Sequence, residues 1–111
     1  VSRPDEAYIE YLLEQLMPLG LVRARRMFGG YGLFLDGLMF GLVAAEELYL
    51  KVDEVNRPAY EARGLEPFSY TAKNRPVSLS YYRAPEEALE DSELLSEWAG
   101  EAFAAALRAR Q

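Results

Sequence analysis

Met27-Phe28-Gly29-Gly30-Tyr31-Gly32-Leu33-Phe34-Leu35-Asp36-Gly37-Leu38-Met39-Phe40-Gly41-Leu42-Val43, running on to Glu47-Leu48-Tyr49-Leu50-Lys51-Val52, is the stretch on which the fold turns. Asp36-Gly37 lies between two apolar runs, 31–35 and 38–43, and both of its residues tolerate positive φ. That is the short-range signature of a hairpin closed by a two-residue type I′ turn. From Glu47 the residues alternate, Leu48, Leu50 and Val52 against Glu47, Tyr49 and Lys51, as a strand with one buried face requires. Val22 to Phe28 can be extended, with its arginines at an edge or in solvent. A four-stranded antiparallel meander is therefore expected.

Upstream, Ile9, Leu12, Leu13, Leu16 and Met17 recur at helical spacing and predict a helix over residues 5–17, begun at Ser2 or Arg3 and stopped by Pro18 and Gly20. Glu6, Glu10 and Glu14 leave one edge of that helix acidic, read as solvated charge. Downstream, Asn56 is the expected N-cap of a short helix carrying Pro58, Tyr60 on its inner face and Gly64 at its end. Residues 68–73 and 77–82 alternate around Asn74-Arg75-Pro76 and read as a second hairpin. Its inner rows would be Phe68, Tyr70 and Ala72, then Val77, Leu79 and Tyr81. Pro85 opens a short helical turn, and Asp91 or Ser92 caps a last helix striped by Leu95, Trp98, Ala99, Ala102, Phe103 and Ala106. The predicted fold class is α+β: N-terminal helix, four-stranded meander, short helix, second hairpin and C-terminal helix, forming one domain over residues 1–111.

Half of the residues are hydrophobic and 27% are charged, which suits a packed core and argues against disorder. No run reaches the roughly 18 apolar residues that span a bilayer, and the acidic start is unlike a signal peptide, so a cytoplasmic protein with no membrane role is expected. With no cysteine and no histidine, disulfides, thiol nucleophiles, the usual zinc sites and Ser-His-Asp triads cannot be built from these residues. A net charge of −6 opposes non-specific attraction to nucleic acid. The basic residues nevertheless cluster, at Arg23, Arg25 and Arg26 and again at Lys73 and Arg75.

Three motifs invite chemistry. Gly29-Gly30-Tyr31-Gly32 lacks the Gly-Lys-Ser/Thr ending of a phosphate loop and precedes a strand instead of a helix, so its glycines read as a bulge or a close backbone crossing. Gly41 reads similarly, leaving room for an aromatic from the first or last helix. The paired acids Glu46-Glu47 and Glu86-Glu87 read as solvated charge. Bases interleaved with aromatics from Arg23 to Phe34 resemble a single-strand nucleic-acid platform, a reading the negative net charge does not favour. Arg23, Arg25, Arg26, Lys73, Arg75 and Tyr82 are the candidate contacts to nucleic acid or a protein partner.

Arg26-Met27-Phe28-Gly29-Gly30-Tyr31-Gly32, followed by Asp36-Gly37, Met39-Phe40, Leu48-Tyr49-Leu50-Lys51, Gly64 with Pro67-Phe68, and Leu79-Ser80-Tyr81-Tyr82, resembles the TfoX N-terminal domain family over about residues 5–108. The resemblance implies an α+β domain similar to the type III secretion-chaperone-like fold. It also implies a bacterial regulator of natural competence of the kind thought to act with the cyclic-AMP receptor protein at promoters. It implies no catalytic residues, and residues 26–32 carry over only as a family signature. The expectation is a non-enzymatic regulatory domain without cofactor or metal, with a protein partner in the transcription machinery and the capacity to form a homodimer. Nucleic-acid binding through a basic-aromatic sheet face is the alternative.

Overall fold

The computed structural model describes residues 4–27, 29–72 and 75–110. Helix α1 (Pro4–Gln15) is followed by β1 (Arg23–Met27), β2 (Gly30–Leu35), β3 (Leu38–Ala44) and β4 (Glu47–Lys51). Then come α2 (Arg57–Ala62), β5 (Pro67–Ala72), β6 (Arg75–Arg83), a 3-10 turn (Glu86–Glu90) and α3 (Ser92–Arg110). The strands form one antiparallel sheet in the order β1-β2-β3-β4-β6-β5. The meander is as expected, and the second hairpin extends it by laying β6 beside β4. The expected helix start at Ser2 or Arg3 falls outside the described residues, as do Phe28, the Lys73-Asn74 connection and the side chains of Tyr70, Ala72, Val77 and Leu79.

Asp36 and Gly37 take φ of 51° and 80°, the geometry a type I′ turn demands. Gly64, with φ 69°, closes α2 in a Schellman motif: its N–H donates to Glu61 O and that of Leu65 to Tyr60 O. The turn between β3 and β4 places Ala45 and Glu46 at φ 52° and 61°, where neither side chain is at ease.

All three helices and the 3-10 turn pack on one face of the sheet, α3 across β3 and β4 with α1 beside it. Leu12 and Leu16 from α1, Leu33, Phe40, Leu48 and Leu50 from the sheet, and Leu95, Ala99 and Ala102 from α3 are fully enclosed. Each buried Leu or Phe contributes roughly 1.5–3 kcal/mol. Polar groups at the helix ends are also satisfied: Ser92 Oγ donates to Gln15 O at 2.6 Å, closing α1, while Asp91 Oδ1 accepts from Leu94 N and caps α3.

Five expectations change. Met17 is 69% exposed because α1 ends at Gln15, and the turn that follows breaks the helical phase. Asn56 makes no cap bond. It is buried, accepts from Asp53 N at 2.8 Å and donates to Lys51 O at 3.0 Å, tying the end of β4 to the entry of α2. Arg75 and Pro76 belong to β6, opposite Ala72 and Thr71. That part of β6 has no β4 partner, so the missing Pro N–H breaks no ladder. Tyr82, paired with Leu50, is the one that faces the helices, its ring 5.7 Å from that of Tyr60, while Tyr81 lies on the other face, as does Phe68, whose ring meets that of Tyr49 instead of the core. Gly41 makes room for Leu33 of the neighbouring strand, not for a helical aromatic: a Cβ there would stand 3.3 Å from Leu33 Cβ. Beside it, Phe40 is the extra residue of a bulge opposite Leu33 and Phe34, so both Phe40 and Gly41 face the helices.

Candidate interaction site

The family-like motif spans the β1–β2 connection. Gly30 lies so close to β3 that a Cβ would fall 2.1 Å from Val43 O, the close backbone crossing the sequence suggested. Its neighbour Tyr31 is buried in the core, and Gly32 is pinned between the Met27 thioether and the Phe34 ring. A recess of about 130 Å³ borders Gly29 and Gly30, walled by Tyr8, whose hydroxyl is pushed up by burial and by nearby Glu47. Backbone packing thus accounts for Gly30, side-chain packing for Gly32 and a left-handed backbone (φ 76°) for Gly29.

The arginines sit at the sheet's margin, since β1 is its terminal strand. Partners across a ladder share a face, so Arg23 opposite Phe34 and Arg25 opposite Gly32 point to the helix-free face. Arg25 lies over the Phe34 ring at 5.6 Å. Arg26, opposite Tyr31, belongs to the other face and lies over that ring at 5.8 Å. None of the three pairs with a carboxylate among the described residues. Three arginines elsewhere are engaged: Arg83 with Glu47 at 3.0 Å, Arg63 with Glu87, and Arg108 with Asp53. The last pair is bidentate, with Arg108 Nε donating to Oδ2 at 2.5 Å and Nη2 to Oδ1 at 2.9 Å. It holds the Asp53 carboxyl down at about 2.

A cavity of about 770 Å³ lies at the first half of β1, lined by residues 21–25. On the helix side it is walled by Leu13 and Ala24, on the helix-free side by Phe34 with Arg23 and Arg25, and at its end by Asp36 and Gly37. Leu21, in the loop that enters β1, borders it at 76% exposure. Farther along the helix-free face, Leu42 is only 5% exposed although no helix covers it, Tyr49 and Phe68 meet edge to face at 4.9 Å, and Lys51 lies over Tyr81 at 5.4 Å.

The sequence-selected residues do not converge. Arg23 and Arg25 share the helix-free face, Arg26 takes the other, and Tyr82 packs under the helices. Arg75 lies in β6, four strand spacings or about 19 Å across the sheet from β1, and Lys73 is outside the described residues. Phe34, Lys51, Tyr81 and Leu21 were not selected. Of these, Phe34 was within reach, because the Asp36-Gly37 turn fixes which face it shares. Among the described residues no three acids converge as a metal site would need.

These features define a two-layer α+β domain with one open sheet face and a cationic edge strand. The chain belongs to the TfoX N-terminal domain family, which matches residues 14–106. It is 34% identical over 73 residues to Protein Sxy of Escherichia coli, an alignment covering 66% of this chain and 35% of that protein. It is 31% identical over 86 residues to DNA transformation protein TfoX1 of Aliivibrio fischeri, covering 78% and 39% respectively. The chain thus spans little more than a third of the length of these curated relatives.

Proposed function

We propose that this domain is a non-catalytic regulatory module of competence for DNA uptake, working through contact with a protein partner in the transcription machinery. Family membership carries the reading, since one relative is by name a DNA transformation protein. The unpaired arginines and the groove beside them supply a surface for such a contact. The test is deletion of the gene in its host, with transformation frequency as readout, alongside co-purification of the intact protein with RNA polymerase and the cyclic-AMP receptor protein. Loss of transformation restored by complementation supports the proposal. Unchanged transformation together with an empty pull-down at micromolar concentration overturns it.

A second reading rests on a separate observation: cations lie over rings on the open face, Arg25 on Phe34 and Lys51 on Tyr81. Single-stranded nucleic acid binds such surfaces by stacking and phosphate contact. Because counterion release makes that binding strongest at low salt, a titration that finds no affinity there eliminates it.

A further inference from the structure

We propose that the β1 edge receives an acidic, extended segment of a protein partner as an added strand, with acidic and apolar residues alternating along it. The inference rests on the protein-interaction reading above and specifies the partner's chemistry. β1 ends the sheet, so one row of its backbone groups has no strand neighbour among the described residues, the template on which extended peptides dock. The 770 Å³ groove is lined by the first half of this strand, Arg23 to Arg25, and takes residues from both faces of the sheet, with walls of opposite character. On the helix-free side stand Arg23 and Arg25, two residues and therefore about 7 Å apart. On the helix side, Leu13 and Ala24 are apolar, and Leu21 is exposed beside them.

A strand laid here would turn every second side chain toward the arginines and the intervening ones toward the apolar wall. Acid-apolar alternation satisfies both. Arginines at an edge usually serve to prevent self-association, and they do so here: two β1 strands paired antiparallel would set one arginine cluster against another, which like-charge repulsion opposes. The same charges favour an acidic strand, so the edge discriminates by sign. The apolar helix-side wall, which a backbone charged at every unit cannot use, makes it a poor track for phosphates.

The experiment uses the whole chain and two fluorescein-labelled peptides of identical composition, about ten residues long to cover β1 with overhang. One alternates Glu and Val, and the other places all Glu before all Val. The alternating peptide is expected to bind roughly tenfold or more tighter, to weaken with salt, and to protect the amides of residues 23–27 from hydrogen exchange. Arg23→Glu/Arg25→Glu should abolish that binding and gain affinity for an alternating Lys-Val peptide, a swap that a folding defect cannot produce. Equal binding of the two Glu peptides, no protection at 23–27, failure of the charge swap, or displacement of the peptide by an oligo-dT of similar length overturns the proposal. Any of these outcomes alongside intact co-purification moves the partner's contact to another surface and leaves the regulatory reading standing.

Discussion

The three glycines of the family motif should respond to alanine in a fixed order, and that order tests whether they serve the sheet or a ligand. At Gly30 a new Cβ would stand 2.1 Å from the Val43 carbonyl oxygen and 3.2 Å from its carbon. Carbon and oxygen approach no closer than about 3.3 Å without penalty, so β2 and β3, normally about 4.8 Å apart, must separate by roughly 1 Å at this point. Overpacking of this kind costs about 1–3 kcal/mol, and disturbing the Tyr31–Val43 ladder adds about 1 kcal/mol per weakened hydrogen bond. Gly30→Ala should therefore cost about 3 kcal/mol or more, a large part of the 5–15 kcal/mol that typically holds a domain together. At Gly29 nothing lies within 4 Å, but φ is +76°, so alanine there costs about 1 kcal/mol for the left-handed backbone alone. At Gly32 the obstacles are Met27 Sδ and Phe34 Cε1, both at 3.0 Å on side chains free to move, and the cost should stay near or below about 1 kcal/mol. Urea denaturation followed by far-UV circular dichroism, with the emission of the single Trp98 as a second probe, measures all three. If Gly30→Ala unfolds within about 0.5 kcal/mol of the parent, or Gly29→Ala is the worst of the three, backbone crowding is not what the motif is for.

Three further outcomes are expected. Replacing Glu46 by Gly relieves one left-handed side chain in the β3–β4 turn and should raise stability by about 0.5–1 kcal/mol, or a few degrees in thermal midpoint; an unchanged midpoint would show that the turn is not strained. The Asp53 carboxyl is held by Arg108 at about 2, below its unfolded value, so its contribution is complete above about pH 4 and drains away as pH falls through about 2. Asp53→Asn should flatten the stability curve in that window and leave its shape at pH 6–8 unchanged, which thermal melts across pH can establish. Tyr60 is 1% exposed, its hydroxyl has no hydrogen-bond partner among the described residues, and its ionisation is pushed well above the usual tyrosine range by burial and then by Glu101. Tyr60→Phe should therefore be neutral or stabilising by about 1 kcal/mol, and a loss of that size in denaturant titration would show that the hydroxyl is in fact engaged.

The parts of this fold legible in the sequence were those set by local geometry. Asp36-Gly37 needed only its own backbone preferences to specify a turn, Leu48, Leu50 and Val52 needed only a period of two, and Gly64 needed only the end of a helix. The parts that were not legible depend on which strand lies next to which. Tyr81 and Tyr82 are both aromatic, so alternation could not say which faced inward until β6 was registered against β4 through Leu50. Asn56 looks like a cap in any linear reading, and only the return of the chain past Lys51 gives its amide two better partners. Ala45-Glu46 carries no turn signal, since both take positive φ, a conformation that neither residue prefers. The same division runs through the site. The arginine cluster was plain in the sequence, but its location on a terminal strand, its separation from Arg75 and the exposure of Leu21 are properties of the sheet order.

The motif and the interaction surface are thereby connected without the motif touching a ligand. Gly30 lets β2 close on β3, which seats Tyr31 in the core and fixes the depth at which the β1–β2 hairpin sits. Gly32, lacking a side chain, gives the Met27 thioether and the Phe34 ring their places on the helix-free face, and the exposed Arg25 guanidinium lies over that ring at 5.6 Å. An exposed contact of this kind contributes about 0.5–1 kcal/mol, against about 2 kcal/mol of rotamer freedom in a free arginine, so it removes part of the ordering cost of binding. The glycines therefore act on recognition through entropy and position: they build an edge on which Arg25 is oriented before a partner arrives. On this account the motif identifies the family because it sets the shape of the edge, while the identity of the partner is left to side chains such as Arg23, Arg25 and Leu21 that the shape puts on display.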